Sequence, residues 1–166
     1  MTEPASAHRS TTEDGSYFED FAVGDKWRHF RGSTVGETES QLITKLVMNT
    51  AQEHFNDDSM KASEWGASRI VFGLVTGSLT LGLASQDVAE NAIAELGLDA
   101  VKFTASMYLG DTVYAYTEVL ETRDADREDA GVVVFQHWGV KPDGRIVFEC
   151  RRTVMIKRRK YWRSAP

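Results

Sequence analysis

Histidine is the side chain best suited to proton exchange near neutral pH, and the chain has four histidines in different surroundings. His8 lies in a polar N-terminal segment. His29 and His137 lie in strand-like segments, where a structural or exposed position is the simpler interpretation. His54 lies instead among amides and carboxylates, in the stretch NTAQEHFNDD that begins at Asn49. His54 is therefore the candidate among the four for proton exchange, and an ordinary structural role is the alternative interpretation.

Other kinds of reactive site leave little signal in the sequence. No second histidine or cysteine stands at metal-ligand spacing from His54, so neither a metal nor another cofactor is expected. The single cysteine, Cys150, lies in no nucleophile motif, and no glycine-rich phosphate loop follows a strand. Gly73 precedes a long predicted helix, where a backbone N–H can bind developing negative charge. A plain helix start is the alternative interpretation of Gly73.

The polar segment around His54 lies between two predicted helices. The first helix begins near Thr38, which with Gln41 resembles a capping box, and it continues to about Met48. Residues 49–72 are mixed and polar and show only short helical patterns. A connection of this length is uncommon in a compact domain and is often functional. We expect it to carry reactive groups.

The strongest helix pattern runs from Gly73 to Leu96, with Gly97 as its C-terminal cap. A glycine in a helix interior costs about 1 kcal/mol relative to alanine. The small residues Gly77, Gly82 and Ala89 therefore indicate that the helix approaches a neighbouring surface closely. We predict that this helix lies against the concave face of a sheet.

The remaining segments alternate between apolar and polar residues, as strands do. A first strand is predicted from Trp27 to Thr34, and the turn Lys141–Gly144 joins the last two strands. The charged residues 122–129 are expected to form an exposed connection. The other predicted strands cover residues 101–107, 111–121, 131–140 and 145–156. Helices followed by a run of antiparallel strands predict an α+β fold.

Length and composition exclude several classes of protein. A chain of 166 residues suits one domain, which we place at residues 17–160 after a disordered leader over residues 1–16. The net charge of −6 argues against a nucleic-acid partner, which would require a basic face. No stretch has the length of a membrane span or a secretion signal, so no membrane partner is expected. The lone cysteine suits a reducing compartment, and we expect a cytoplasmic protein.

Three segments, in this order, resemble the MaoC-like (R-specific) enoyl-CoA hydratases. The family's Asp-x-Asn-Pro-x-His segment is matched here by Asn49–His54. Its hydrophobic pair and His-Gly before the long helix are matched by Ile70–Gly73, and its Gly-Asp-Thr-hydrophobic segment by Gly110–Val113. The opening YFEDFAVGD, from Tyr17, also looks like the family's start. The resemblance covers residues 17 to 157.

The resemblance implies a hot-dog fold, in which a curved antiparallel sheet wraps a long helix. It also implies a CoA or acyl-carrier thioester substrate and a homodimer or higher homo-oligomer. The NTAQ-x-H variant is similar to the subgroup of mesaconyl-CoA hydratases (β-methylmalyl-CoA dehydratases), which implies a branched or dicarboxylic substrate. The expected reaction is reversible hydration of a 2-enoyl-CoA by a hydro-lyase.

Two positions depart from the family pattern. Asn49 stands where the family has its catalytic aspartate, and an amide cannot act as a general base, although it can orient water. Phe72 stands where the family has a histidine before the helix-start glycine. The resemblance thus implies that His54 and Asn49 are the catalytic pair, and that Gly73 and Phe72 contact the substrate. The Gly73 N–H would bind the thioester oxygen as it becomes enolate-like.

Two other functions remain open on the same fold. Thioester hydrolysis would need a carboxylate to activate water; Glu64, Asp87 and Glu90 are available, but each is more simply a solvated residue. A non-catalytic acyl-CoA-binding role is compatible with the amide at Asn49.

Overall fold

The computed structural model describes residues 8–9, 15–64, 66 and 68–162. The expected leader falls largely on residues 1–7 and 10–14, which lie outside this described part. Within the leader, the backbone of His8–Arg9 pairs with the strand that follows. Ser16 is buried, and its hydroxyl donates a hydrogen bond of 2.6 Å to the Asp87 carbonyl oxygen.

One sheet and one long helix dominate the described part of the chain. The elements are β1 (His8–Arg9), β2 (Lys26–Thr34), α1 (Glu37–Leu46), α2 (Asp57–Met60), α3 (Gly73–Val88), β3 (Ala92–Lys102), β4 (Thr112–Asp124), β5 (Ala130–Val140), β6 (Ile146–Lys157) and α4 (Arg159–Trp162). Short 3-10 turns cover Phe18–Asp20 and Gln52–His54. The strand order is β1-β2-β4-β5-β6-β3, antiparallel except for the β1–β2 pair. The predicted α+β fold is confirmed.

Helix α3 packs across one face of this sheet and contacts β2, β4, β5 and β6. Its buried residues Ala84 and Val88 join a core cluster with Phe135 and Val154 of the strands. The predicted position of the helix against the sheet is therefore correct. Within the described residues, no helix is both long enough and apolar enough to cross a membrane.

The predicted C-terminal end of the long helix is wrong. Helix α3 stops at Val88, and β3 already begins at Ala92, so Gly97 lies inside a strand and caps nothing. The reason lies in tertiary structure, because residues after Val88 form β3, which pairs with β6. If the helix continued instead, the backbone N–H and C=O groups along that edge of β6 would have no partner strand. The strand predicted at residues 101–107 accordingly begins earlier and ends at Lys102.

The three small residues differ in how closely they approach a neighbour: Gly77 lies against the sheet, Ala89 packs against a core cluster, and Gly82 is exposed. A Cβ on Gly77 would lie 2.8 Å from a ring carbon of Phe148, which is fully buried. A Cβ on Gly82 would meet nothing within 4 Å. Ala89 lies just beyond the helix, as its C-cap.

The start of α1 also differs from the expected capping box. Gly36 is the N-cap, and the Glu39 carboxylate accepts its N–H, so Thr38 lies inside the first turn. That hydrogen bond lowers the pKa of Glu39. At the other end the helix stops at Leu46, and Met48 has φ of 53° in the left-handed region. The chain therefore turns sharply before residue 49.

The later strands and their connections follow the sequence pattern closely. Strands β4, β5 and β6 match the predicted segments to within a few residues. Gly144, with φ of 83°, closes the predicted turn between β5 and β6. The expected exposed connection at 122–129 is shorter, because β4 continues to Asp124.

A buried polar chain joins α3 to three strands. His29 Nδ1 lies 2.6 Å from Asp87 Oδ2, and its Nε2 lies 2.6 Å from the Thr117 hydroxyl, which also contacts His137 Nδ1 at 2.8 Å. Both histidines are structural, as predicted, but the prediction of a solvated Asp87 is wrong. Burial above all, together with the charges of Arg152 and His29, holds the pKa of His137 well below its ordinary value, so that ring is neutral.

Candidate active site

His54 lies at the end of the 3-10 turn and is half-buried. Its Nδ1 is 3.0 Å from the carbonyl oxygen of Ile70. A carbonyl oxygen only accepts, so Nδ1 must carry the hydrogen in this contact. In the neutral ring Nε2 is then the basic nitrogen, and it can take a proton from water.

The main chain of Ile70 holds His54 from two sides. Its carbonyl accepts from the imidazole, and its N–H donates to the Glu53 carbonyl at 3.0 Å. Ile70 is itself fixed by a bridge to Tyr108. The neighbouring Val71 N–H donates to the Met107 carbonyl at 2.8 Å. The histidine is thus attached through backbone groups to the connection between β3 and β4.

The amide oxygen of Asn49 is bound to the backbone of its own loop. The Asn49 Oδ1 accepts a hydrogen bond of 2.8 Å from the N–H of Ala51. This contact identifies the oxygen, because an N–H cannot donate to the amide's NH₂ group. The NH₂ group remains as a donor. Among the hydrogen bonds of the described residues, none joins Asn49 to His54.

The N-terminus of α3 lies beside the imidazole. Phe72 is the N-cap of α3, and its ring centroid is 5.3 Å from that of His54. The Val75 N–H already donates to the Phe72 carbonyl at 2.9 Å, so the Gly73 and Leu74 N–H groups are the ones that precede the first bond of the helix. This end of the helix carries partial positive charge. The structure therefore brings His54, Phe72 and the start of α3 together.

Phe103 is a wall of this site that the sequence did not reveal. A Cβ on Gly73 would lie 2.9 Å from a ring carbon of Phe103, so any larger residue at position 73 would displace the ring. The Phe103 ring also packs against Phe148 at 5.6 Å. No local pattern could have indicated this, because Phe103 reaches Gly73 only through the tertiary pairing of β3 with β6.

The carboxylates considered for thioester hydrolysis and the single cysteine lie away from His54 and the N-terminus of α3. Glu64 and Glu90 are exposed, and Asp87 belongs to the buried chain near the opposite end of α3 from Gly73. Burial raises the pKa of the Cys150 thiol to about 12, so it remains protonated and is a poor nucleophile. In the part of the chain that is described, no group of three or more His, Cys, Asp or Glu side chains could hold a metal ion.

The long helix laid across an antiparallel sheet places the chain among the MaoC-like hot-dog proteins. The family model described as mesaconyl-CoA hydratase matches residues 14–158, and the chain belongs to that family.

Curated relatives carry the same names. A mesaconyl-CoA hydratase from Haloarcula marismortui is 36% identical over 159 residues, which is 87% of this chain and 43% of the relative. A β-methylmalyl-CoA dehydratase from Chloroflexus aurantiacus is 35% identical over 103 residues, 62% of this chain and 29% of the relative. The chain spans less than half the length of these relatives.

The fold is shared by solved structures of about the same length as this chain and by others about twice as long. A monoamine oxidase regulatory protein from Archaeoglobus fulgidus has a TM-score of 0.76 and 26% identity, covering 87% of this chain and 95% of that one. A MaoC domain dehydratase from Chloroflexus aurantiacus has a TM-score of 0.81 and 27% identity, covering 95% of this chain but 45% of that one. A Mycobacterium tuberculosis protein described as a double hotdog, 20% identical with a TM-score of 0.79, covers 91% and 47% and shows the fold alone.

Proposed function

We propose that the protein catalyses reversible hydration of a 2-enoyl-CoA thioester, with a branched or dicarboxylic acyl group of the mesaconyl-CoA kind. The observation that carries this proposal is the position of His54. Its Nδ1–H is bound to the Ile70 carbonyl, so its Nε2 is free to act as a base, and the ring lies against Phe72 at the N-terminus of α3. The names of the relatives supply the substrate class.

In the proposed mechanism, the thioester oxygen accepts from the Gly73 N–H. Water attacks Cβ of the double bond while His54 Nε2 takes one of its protons. Negative charge then develops on the thioester oxygen, where the partial positive charge of the helix N-terminus stabilises it. Transfer of the proton from His54 to Cα completes the addition of water. The reverse sequence gives dehydration.

Asn49 acts in this scheme as a hydrogen-bond donor. Its oxygen already accepts the Ala51 N–H, which directs that end toward the loop and leaves the NH₂ group as the donor for a ligand. A donor can hold the attacking water by its oxygen, leaving a water proton for His54. It can equally hold a carboxylate at the far end of a dicarboxylic acyl group.

The proposed partner is a second copy of the chain, seated on the edge strand β3. No described strand pairs with the outer edge of β3, which leaves main-chain donors and acceptors open. Leu98 on this strand and Phe103 just after its end are 50% and 49% exposed. Because Phe103 also covers Gly73, a partner here would close the site. We place this homodimer in the cytoplasm, in keeping with the free, buried Cys150.

The test is to assay hydration of crotonyl-CoA and mesaconyl-CoA while following release of free thiol in parallel. We expect loss of the enoyl thioester without thiol release. His54→Ala should reduce that rate by about 10²- to 10⁴-fold, the usual contribution of a general acid–base group. Its far-ultraviolet circular dichroism should match the wild type. Thiol release would indicate a thioesterase instead, and CoA binding without turnover would indicate a binding protein.

A further inference from the structure

Arg69 is an unusually sequestered cation beside the site. Its side chain is only 10% exposed. Its Nε donates to Asp57 Oδ1 at 2.6 Å, and its Nη2 donates to Glu37 Oε1 at 2.6 Å. Both contacts raise the pKa of Arg69, and the hydrogen bond that it donates to Glu37 is the largest cause. One guanidinium therefore binds two carboxylates at once.

The two carboxylates mark the ends of the segment that carries the catalytic candidates. Glu37 is the first residue of α1 and Asp57 is the first residue of α2. Asn49 and His54 lie on the chain between these helices. A planar guanidinium holds both partners in fixed directions, which a flexible ammonium cannot do. Arg69 thus sets the distance between the starts of the two helices.

The stability gained from these ion pairs is expected to be small. The Glu37 and Asp57 side chains are 61% and 74% exposed, and pairs with such hydrated carboxylates contribute little to the free energy of unfolding. The burial of Arg69 therefore needs another explanation. Its position in the chain supplies one, because the next residue is Ile70.

Ile70 transmits the position of Arg69 to the imidazole. The Ile70 carbonyl accepts from His54 Nδ1, and the Ile70 N–H binds the carbonyl of Glu53. A shift of Arg69 displaces both groups together. If the carbonyl moves away, nothing selects the Nδ1–H tautomer, and the base at Nε2 is present for only part of the time.

We propose that Arg69 is a positioning residue, which fixes the tautomer and direction of His54 through the main chain of Ile70. The tautomer part of this proposal concerns the geometry alone. The kinetic part rests on the proposed hydratase function.

The experiment compares Arg69→Gln and Arg69→Lys with the wild-type protein and with Arg127→Gln. Arg127 is a matched control, because it also donates twice to a carboxylate, that of Asp129, but lies in the exposed turn between β4 and β5. Long-range ¹H–¹⁵N correlation spectra of ¹⁵N-histidine protein report the tautomer directly. The His54 signals are assigned by their loss in His54→Ala.

We expect the wild type and Arg127→Gln to show the Nδ1–H form of His54, and Arg69→Gln to show a mixture of tautomers. For hydration, kcat should fall about 10- to 100-fold in Arg69→Gln with little change in KM, as displacement of a reactive group by about 1 Å produces. Arg69→Lys should recover part of the loss.

An unchanged His54 tautomer in Arg69→Gln would overturn the positioning role, whatever the activity. A wild-type protein that hydrates none of the thioesters would overturn the proposed function, yet the spectra would still decide the role of Arg69. A loss of kcat with an intact tautomer counts against the proposal as well, since it would show that Arg69 acts by another route.

Discussion

At the scale of single residues, Asn49 stands where the MaoC-like family pattern has an aspartate. The two side chains differ by one group, an NH₂ in place of an oxygen. Both side chains can accept the Ala51 N–H, so Asn49→Asp should keep the loop conformation. What changes is the other end of the side chain, where a donor becomes a charged acceptor. The substitution therefore isolates the role of the amide.

We predict that Asn49→Asp lowers kcat/KM for mesaconyl-CoA by about 10- to 100-fold, the usual effect of losing a hydrogen bond to a charged group. The new carboxylate would also repel the substrate carboxylate. Crotonyl-CoA has no such group and should lose less or gain. Parallel assays of both substrates give the ratio. Equal gains on both would show that position 49 is a base position and that the amide does not recognise a carboxylate.

The residue scale also shows where sequence reasoning stops. The sequence singles out His54 as a candidate because amides and carboxylates surround it along the chain. Its tautomer was not, because the acceptor on Ile70 is reached only through the folded loop. Phe103 and Arg69 were missed for the same reason, since nothing in their own segments distinguishes them from an ordinary strand or loop residue.

At the scale of elements, two glycines of α3 allow the packing of the helix against the sheet to be tested. Gly77 and Gly82 lie in the same helix, but a Cβ meets Phe148 only at Gly77. Gly77→Ala should reduce the free energy of unfolding by about 1–3 kcal/mol, because the buried Phe148 ring must shift. Gly82→Ala should instead increase it by up to about 1 kcal/mol through helix propensity.

Urea unfolding followed by circular dichroism measures both glycine variants against the wild type. The opposite signs are the critical result. If both alanines stabilise the protein, then Phe148 is free to move, and α3 does not approach the sheet as closely as described. If both alanines destabilise the protein, then Gly82 is not exposed as described.

The same helix shows why element boundaries were harder to predict than element types. The residues after Val88 continue a plausible helical pattern, and local propensity gives no reason to stop there. The reason lies in β6, more than fifty residues further along, whose edge accepts β3. The strands β4 to β6 were predicted well because neighbours in the sequence are also neighbours in the sheet.

At the scale of the whole molecule, the proposed dimer along the edge of β3 would close the site. We predict that Leu98→Glu combined with Val101→Lys leaves the fold intact but converts a dimer to monomers. Charged residues on an edge strand oppose pairing with another strand. Sedimentation at micromolar concentration measures the change. Val23→Glu, at a residue that is 62% exposed in the turn before β2, is the control and should remain dimeric.

Activity should decline together with the dimer if the partner closes the pocket beside Phe103. A wild-type protein that sediments as a monomer and still hydrates its substrate would contradict this view of the assembly. At this scale the sequence predicted the fold and its family from three short motifs. It could not indicate which strand lies at the edge, because that depends on the order of all the strands.

The acceptor that holds His54 is a main-chain carbonyl, and this affects how the site changes as sequences diverge. Every amino acid carries a carbonyl oxygen, so point substitutions at position 70 retain the acceptor whatever their side chain. An insertion or deletion between His54 and Ile70 would instead move the acceptor out of reach. Insertions and deletions in this interval, more than substitutions, should therefore mark homologues that have lost the proposed activity.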